Sequence, residues 1–297
     1  IISKLTTRCS VSLLRHFTVS AEFQMKLRIQ PWFTHGCITF LNNVFKWYPQ
    51  LCGTTPSVLE WGGGNSTLYF LTKKCNVLTV ESDEGYVKEL AALASAMGFR
   101  TAVVSNTTEA MERFDASDLV ILHAKGYQDV GDSIFQCRDW TFLLNDGISR
   151  KDVLEAVSRL TFQGVLILDN LEYCANWGRL ERAAAHPDRV RLYRQFLRDP
   201  AWRQLLFEQQ EGRNGHSTPD STGWEAPHRW ISGVLWRQEH LFTQLLVTHA
   251  GLPVVTPDAL GDRDLETLSE RCPFDWQQMK WLVDEYSNVF TLDRSFE

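Results

Sequence analysis

The chain lacks features that mark several large classes of protein. It has no strongly basic segment: 30 lysines and arginines face 36 acidic residues, and the formal net charge is −6. Because duplex nucleic acid is bound by clustered basic residues, such a partner is disfavoured. No apolar run is long enough to span a bilayer, so we expect no membrane segment.

Paired or metal-type cysteine spacings are also lacking. The seven cysteines include no CxxC pair and form no metal-finger pattern. This usage is typical of reduced thiols in an intracellular protein, so we expect a cytoplasmic location. Residues 1–21 contain basic residues and hydroxyls but no acid, which is the composition of an organelle transit peptide and leaves that destination as an alternative.

The length of 297 residues, 44% of them hydrophobic, is sufficient for a full core. We predict an N-terminal extension over residues 1–30, a main domain over 31–238 and a helical extension over 239–297. The last of these would form either a helical cap or a homodimer surface.

Strand and helix patterns alternate through the first half of the main domain. A helix with apolar residues on one face is predicted within 31–48, followed by strands at "SVLEW", "NVLTVES" and "RTAVVS" with helices between them. Such spacing predicts right-handed crossovers and a parallel sheet, whose ligands bind at the carboxyl ends of the strands.

The segment 107–139 is open to two interpretations. Its "SDLVILHAKGY" fits either a strand or a short helix, and we place the fourth strand later, at "WTFLLND". The reason is that an amphipathic helix, "GISRKDVLEAVSRL", and a buried strand, "GVLILDN", follow directly. Residues 107–139 would then be an insertion or an elaborated crossover.

The remainder of the chain is predicted to be mainly helical. Helices are expected at "RVRLYRQFLRD" and "PAWRQLLFEQQ", and an outer strand at "RWISGVLWR". Beyond Gln238 every segment, including "FDWQQMKWLVDEYSNVF", has helical periodicity.

The stretch "SVLEWGGGNSTLYFL", residues 57–71, joins a buried strand to a helix through three glycines. Gly62 to Gly64 permit positive φ and close backbone approach, and Ser66 can cap the helix. We therefore expect the turn to offer backbone N–H groups to a ligand.

Glu60-x-Gly62-x-Gly64-x-Ser66 after the first strand, with Glu81 ending the second, resembles the class I S-adenosylmethionine-dependent methyltransferases. The resemblance covers about residues 31–238. It implies a Rossmann-like, doubly wound α/β fold with a mostly parallel, seven-stranded sheet and an antiparallel last strand. It also implies S-adenosylmethionine as cofactor, lined by Glu60, Trp61, Gly62, Gly63, Gly64, Asn65, Ser66, Ser82 and Asp146, with Glu81 at its ribose.

The chain also looks like a less characterised branch of that family. The motifs are Pro31-Trp32 at the start of the first helix and Asp146-Gly147-Ile148-Ser149-Arg150 after the fourth predicted strand. Because its guanidinium matches a carboxylate or phosphate, Arg150 is a candidate for binding an anionic group of the substrate. Its alternative is an ordinary surface charge.

A metal site is implied by similarity to catechol O-methyltransferase and its relatives. There, an acid after the fourth strand and an Asp-Asn pair after the fifth bind magnesium; here these are Asp146, Asp169 and Asn170. The relatives have a lysine where this chain has Ser149, and structural turn residues are the alternative. Asp146 and His228 are the candidate catalytic bases, and Asp169 is also a candidate substrate contact.

The resulting hypothesis is a methyltransferase that modifies a hydroxyl of a small molecule or glycan-type acceptor. An NAD(P)-binding Rossmann oxidoreductase is the alternative enzyme, because it shares the strand, glycine turn and acid. A non-catalytic S-adenosylmethionine-binding module is the third possibility.

Overall fold

The computed structural model describes residues 31, 33–147, 149–171, 191–192, 195–196, 199–209, 230–237, 240 and 287–290. The predictions for residues 1–30, for His228 and for most of 239–297 lie outside these residues. Among the residues that the structure describes, no helix is long and apolar enough to cross a membrane.

The described segments contain nine strands and seven helices with bounds given by the structure. The strands are β1 (Ser57–Trp61), β2 (Asn76–Glu81), β3 (Thr101–Val104), β4 (Leu119–His123), β5 (Phe142–Asn145), β6 (Val165–Leu168), β7 (Trp202–Gln209), β8 (Trp230–Arg237) and β9 (Ser287–Phe290). The helices are α1 (His35–Cys52), α2 (Asn65–Thr72), α3 (Glu84–Ala96), α4 (Thr107–Phe114), α5 (Tyr127–Val130), α6 (Ser133–Gln136) and α7 (Arg150–Arg159).

All nine strands belong to one sheet, in the order β3-β4-β2-β1-β5-β6-β8-β7-β9. The first six in this order are parallel, whereas β8 is antiparallel to β6 and β7, and β9 is antiparallel to β7. The fold is therefore a Rossmann-like α/β fold with a mostly parallel sheet, as predicted. The described residues form more strands than the seven expected, and β8 lies between two strands rather than at the outer edge.

Helices cover both faces of the sheet because successive strand residues point to opposite sides. Val58 packs with α1, α2 and α3 in one core, and the next residue, Leu59, packs with α4 and α7 in the other. Both cores are apolar and fully buried at their centres, which explains why the strands are continuous apolar runs rather than alternating ones.

The structure resolves the ambiguous segment 107–139. Residues 119–122 are buried and form β4, which pairs with β2 and β3. The fourth strand therefore lies at Leu119–His123, and "WTFLLND" supplies the fifth. With α4 before it, β4 completes an ordinary crossover unit, so the segment is not one long insertion.

Two other predictions of helix are wrong. "PAWRQLLFEQQ" forms β7, because Leu205 packs in one core and Leu206 in the other, as the residues of a central strand do. A short apolar run cannot distinguish a buried strand from a helix by periodicity alone. Ser287–Phe290, at the end of another predicted helix, is a strand paired with β7.

Candidate functional site

The candidate site lies where the chain reverses its direction across the sheet. From β1 the chain passes to β2 on one side, and it later returns to β5 on the other side of β1. In open parallel sheets, ligands bind beside the carboxyl ends of the strands at such a switch point. The segments that follow β1, β2 and β5 are the ones that the sequence analysis assigned to the cofactor.

The glycine turn after β1 touches the turn after β5. Gly62 has a φ of +96°, and a Cβ at this position would lie 2.6 Å from the Cα of Gly147. In the opposite direction, a Cβ on Gly147 would lie 2.7 Å from the Gly62 nitrogen. Both positions need glycine because the two backbones meet without space for a side chain.

The three glycine N–H groups have partners within the protein. Gly62 donates to the Val80 carbonyl at 2.9 Å, Gly63 to Glu81 Oε2 at 3.0 Å and Gly64 to Thr67 Oγ1 at 2.9 Å. The expectation that these glycines offer free donors is therefore wrong.

The start of α2 also differs from the expectation. Gly64 is the residue that precedes the helix, so Ser66 lies within its first turn rather than at the cap. Asn65 and Ser66 are both buried, beside the glycine turn.

Glu81 is held in place by backbone donors. Its Oε1 accepts hydrogen bonds from the N–H groups of Ser82 at 2.7 Å and Asp83 at 2.8 Å, and Oε2 accepts the bond from Gly63. The Ser82 hydroxyl is more distant, at 3.4 Å from Oε1. Since a carboxylate has about four acceptor positions, one of them is only weakly used and is suited to a ligand hydroxyl.

His123 is a neighbour of this site that the sequence analysis did not place beside Glu81. It lies opposite Glu81 in the pairing of β2 with β4, and its Nε2 is 3.3 Å from the Ser82 carbonyl oxygen. Its position depends on β4 being a strand next to β2. Interpreting "SDLVILHAKGY" as a strand would have placed His123 at a strand end beside Glu81.

Glu60 lies beneath the glycine turn and not at its surface. Its side chain is 0% exposed, and its Oε2 accepts a hydrogen bond from the Thr67 hydroxyl, which in turn accepts from Gly64. The pKa of Glu60 is raised to about 7, chiefly by burial; hydrogen bonds from nearby hydroxyls lower it, and the charge of Asp146 adds a smaller upward shift. In this position Glu60 supports the turn from below.

Trp61 has its side chain in the core on the opposite face of the sheet from Glu60. The indole is 1% exposed and stacks on Tyr127, with ring centroids 5.6 Å apart, and on Phe135 at 6.4 Å. Any contact of this residue with a ligand at the switch point would therefore involve its backbone.

Asp146 and Arg150 form an ion pair after β5. Arg150 Nη2 bonds to Asp146 Oδ1 and, at 2.6 Å, to the Asp146 carbonyl oxygen. The Asp146 side chain is 24% exposed and that of Arg150 is 15% exposed. Arg150 also contacts Asn170, so three of the predicted site residues do come together here.

The carboxylate of Asp169 has a different environment. It is 1% exposed, and its Oδ1 accepts a hydrogen bond from Ser232 Oγ of β8 at 3.1 Å. The same hydroxyl accepts from the N–H of Thr34, the residue that caps α1. Asp169 thus connects the end of β6 to β8 and α1. No group of three or more His, Cys, Asp and Glu residues in the described part of the chain is arranged to hold a metal ion.

Strand order and register together define a Rossmann-like α/β protein with a topological switch point beside β1. Neither a protein-family model nor a curated protein sequence matches the chain.

Solved structures do resemble it. A putative O-methyltransferase from Klebsiella pneumoniae is 15% identical with a TM-score of 0.43, over 71% of this chain and 83% of that one. The cofactor-bound protein Rv0187 from MTB is 15% identical with a TM-score of 0.46, over 72% and 84%. The SAH-bound methyltransferase PaMTH1 from Podospora anserina is 11% identical with a TM-score of 0.38, over 68% and 78%. Because these identities and scores are low, the fold assignment rests on the chain's own strand order and register.

Proposed function

We propose that the protein is an S-adenosylmethionine-dependent methyltransferase. The observation that carries the proposal is the 3.0 Å hydrogen bond from Gly63 N–H to Glu81 Oε2, beside the switch point of the sheet. It brings a strand-end carboxylate against the glycine turn, in the crevice where such sheets bind nucleoside ligands. A carboxylate is an acceptor-only group and is suited to a ribose hydroxyl.

The donors of the turn favour this cofactor over a dinucleotide. A pyrophosphate is held by free backbone N–H groups of a glycine turn and a helix N-terminus. Here the N–H groups of Gly62, Gly63 and Gly64 are already bonded within the protein. S-adenosylmethionine has no phosphate, and its positive sulfonium is compatible with the nearby carboxylate of Asp146.

The arrangement of β8 supports the same choice. In the common dinucleotide fold six strands follow one another in a parallel sheet. In this protein β8 runs antiparallel between β6 and β7, and an antiparallel strand late in the sheet is what the methyltransferase resemblance implies.

The reaction we propose is transfer of a methyl group to a hydroxyl of a small molecule or glycan-type acceptor. The acceptor oxygen forms a bond to the methyl carbon while the carbon–sulfur bond breaks, and the sulfonium becomes a neutral thioether. The hydroxyl proton leaves to a base or to water, and the partly exposed carboxylate of Asp146 is the candidate base within the described residues.

The cofactor is tested by calorimetric titration of the protein with S-adenosylhomocysteine and, separately, with NAD⁺. We expect the first to bind and the second not to bind. Binding of NAD⁺ alone would show that the protein belongs to the alternative dinucleotide-binding class.

Replacing Glu81 by glutamine should weaken S-adenosylhomocysteine binding by about 1.5–3 kcal/mol, the scale of a lost charged hydrogen bond. Glu84→Gln is the matched control, because Glu84 is a nearby acid that is exposed and paired with Lys88. Equal affinities of the two variants would contradict the ribose assignment. A screen for methyl acceptance then separates an enzyme from a non-catalytic binding module.

A further inference from the structure

We propose that the guanidinium of Arg150 takes the place of a divalent cation at the strand ends, so that methyl transfer by this protein does not use a metal. Arg150 contacts the segments to which the catechol O-methyltransferase resemblance assigns magnesium: Asp146 after β5, and Asp169 and Asn170 after β6. The consequence for catalysis rests on the proposed function, whereas the exclusion of a cation can be tested without it.

The hydrogen-bond donors of Arg150 are matched by acceptors of these segments. Its Nε donates to the Gly147 carbonyl at 3.1 Å, and Nη1 to the Asp169 carbonyl at 3.2 Å and to Asn170 Oδ1 at 3.3 Å. Nη2 donates to the carbonyl and the carboxylate of Asp146. Because a guanidinium has five N–H donors, these five contacts use all of them.

The backbone around Arg150 is shaped for these contacts. Ser149, which precedes α7, has a φ of +56°, and Asn170 has a φ of +58°. Such left-handed conformations are unfavourable for residues with a side chain, although asparagine tolerates them best. Ser149 directly precedes Arg150 in the chain, and Asn170 accepts a hydrogen bond from its guanidinium.

The same residues do not fit magnesium. The ion needs oxygen ligands at short distances in a nearly octahedral arrangement. Here Oδ1 of Asp146 and Oδ1 of Asn170 both accept hydrogen bonds from Arg150. The third predicted ligand, the Asp169 carboxylate, is buried and bonded to Ser232. A divalent cation placed beside Asp146 would also be repelled by the guanidinium.

Arg150 is therefore a positioning residue rather than a substrate ligand. Since all five of its N–H donors are used within the protein, Arg150 has no donor left for the predicted contact with an anionic group of the substrate. Its role is to hold the turns after β5 and β6 at fixed positions beside the glycine turn. The proton of an acceptor hydroxyl would then be removed without a metal that lowers its pKa.

The first experiment is a titration of the wild-type protein with Mn²⁺, followed by the paramagnetic resonance signal of the free ion, with and without S-adenosylhomocysteine. We expect no stoichiometric binding at millimolar Mn²⁺, and an S-adenosylhomocysteine affinity that excess chelator leaves unchanged. Stoichiometric binding that is lost in the Asp146→Asn variant would overturn the proposal. Because the Mn²⁺ titration does not need the cofactor, a failure of the proposed function is detected separately, as absence of S-adenosylhomocysteine binding.

The second experiment tests the guanidinium itself. Arg150→Ala should lower the unfolding temperature by several degrees, and millimolar methylguanidinium should restore part of the loss. The control is Arg159→Ala in the same helix, because Arg159 pairs with Asp132 at the surface and leaves no enclosed space. A loss at Arg150 that methylguanidinium does not reverse, or rescue of both variants alike, would contradict the positioning role. If Arg150→Ala does not fold, the wild-type Mn²⁺ titration still decides whether the site binds a cation.

Discussion

Replacing Glu60 by glutamine gives a quantitative test of the buried acid beneath the glycine turn. Glu60 is 0% exposed, and its pKa is raised from 4.5 to about 7. Burial is the largest cause, neighbouring hydroxyls oppose it, and the charge of Asp146 adds a smaller upward effect. Oε2 accepts a bond from Thr67, while Oε1 has no partner at hydrogen-bonding distance among the described residues. The hydroxyls of Ser66 and Thr79 are close enough to favour the charged form, but they do not offset the burial.

The sign of the effect follows from the raised pKa. The folded protein holds the Glu60 proton more tightly than the unfolded chain, so this contribution to stability is complete below pH 4.5 and is lost as the pH rises through about 7. The difference between these two pKa values corresponds to about 3 kcal/mol. Glutamine has nearly the same shape and does not titrate, so Glu60→Gln should remove this dependence on pH.

The assay is urea unfolding of the wild type and of Glu60→Gln at about pH 5 and about pH 8.5. Relative to the wild type, the variant should gain about 2 to 3 kcal/mol of stability between the lower and the higher pH. Taking the difference between the two proteins cancels the other titrating groups. Glu84→Gln is the exposed control and should show no such gain. A stability difference between Glu60→Gln and wild type that is equal at both pH values would refute the reasoning.

Two further substitutions test the packing around the site. Gly62→Ala should lower stability more than Gly98→Ala. Both glycines have positive φ, +96° and +91°, so either substitution should introduce a backbone strain of about 1–3 kcal/mol, but only at Gly62 would the new Cβ also clash with Gly147. Equal shifts of the two variants in thermal unfolding would contradict the close contact. Ser232→Ala should cost about 1–3 kcal/mol in urea unfolding because it removes the buried hydroxyl that donates to Asp169; a loss within experimental error would show that this bond is not stabilising.

Local sequence pattern determined the part of the fold that surrounds the glycine turn. The predicted strands β1 and β2 and the helices α3 and α7 occur in the structure, because each combines a clear periodicity with a local start or stop signal. Asp83 caps α3, for example, and Gly98 follows its end with a φ of +91°. The strand-end position of Glu81 follows from the same local signals.

Tertiary structure decided whether the short buried apolar segments form strands or helices. β4 and β7 are short apolar runs whose pattern suits a strand or a helix, and only the neighbouring strands fix the outcome: β4 lies between β2 and β3, and β7 beside β8. Burial on both faces removes the alternation that would have identified a strand from sequence. The same reason explains the misplaced fourth strand.

For the polar residues of the site, sequence determined their positions along the chain, and tertiary structure determined their contacts. Sequence alone placed Asp146, Arg150, Asp169 and Asn170 at the ends of neighbouring strands, because the carboxyl ends of parallel strands share one edge of the sheet. It could not determine that Arg150 would turn inward to Asp146 and Asn170, or that the Asp169 carboxylate would bond to Ser232. These choices depend on side-chain direction and on contacts between residues as many as 63 positions apart, which exist only once the strands have assembled.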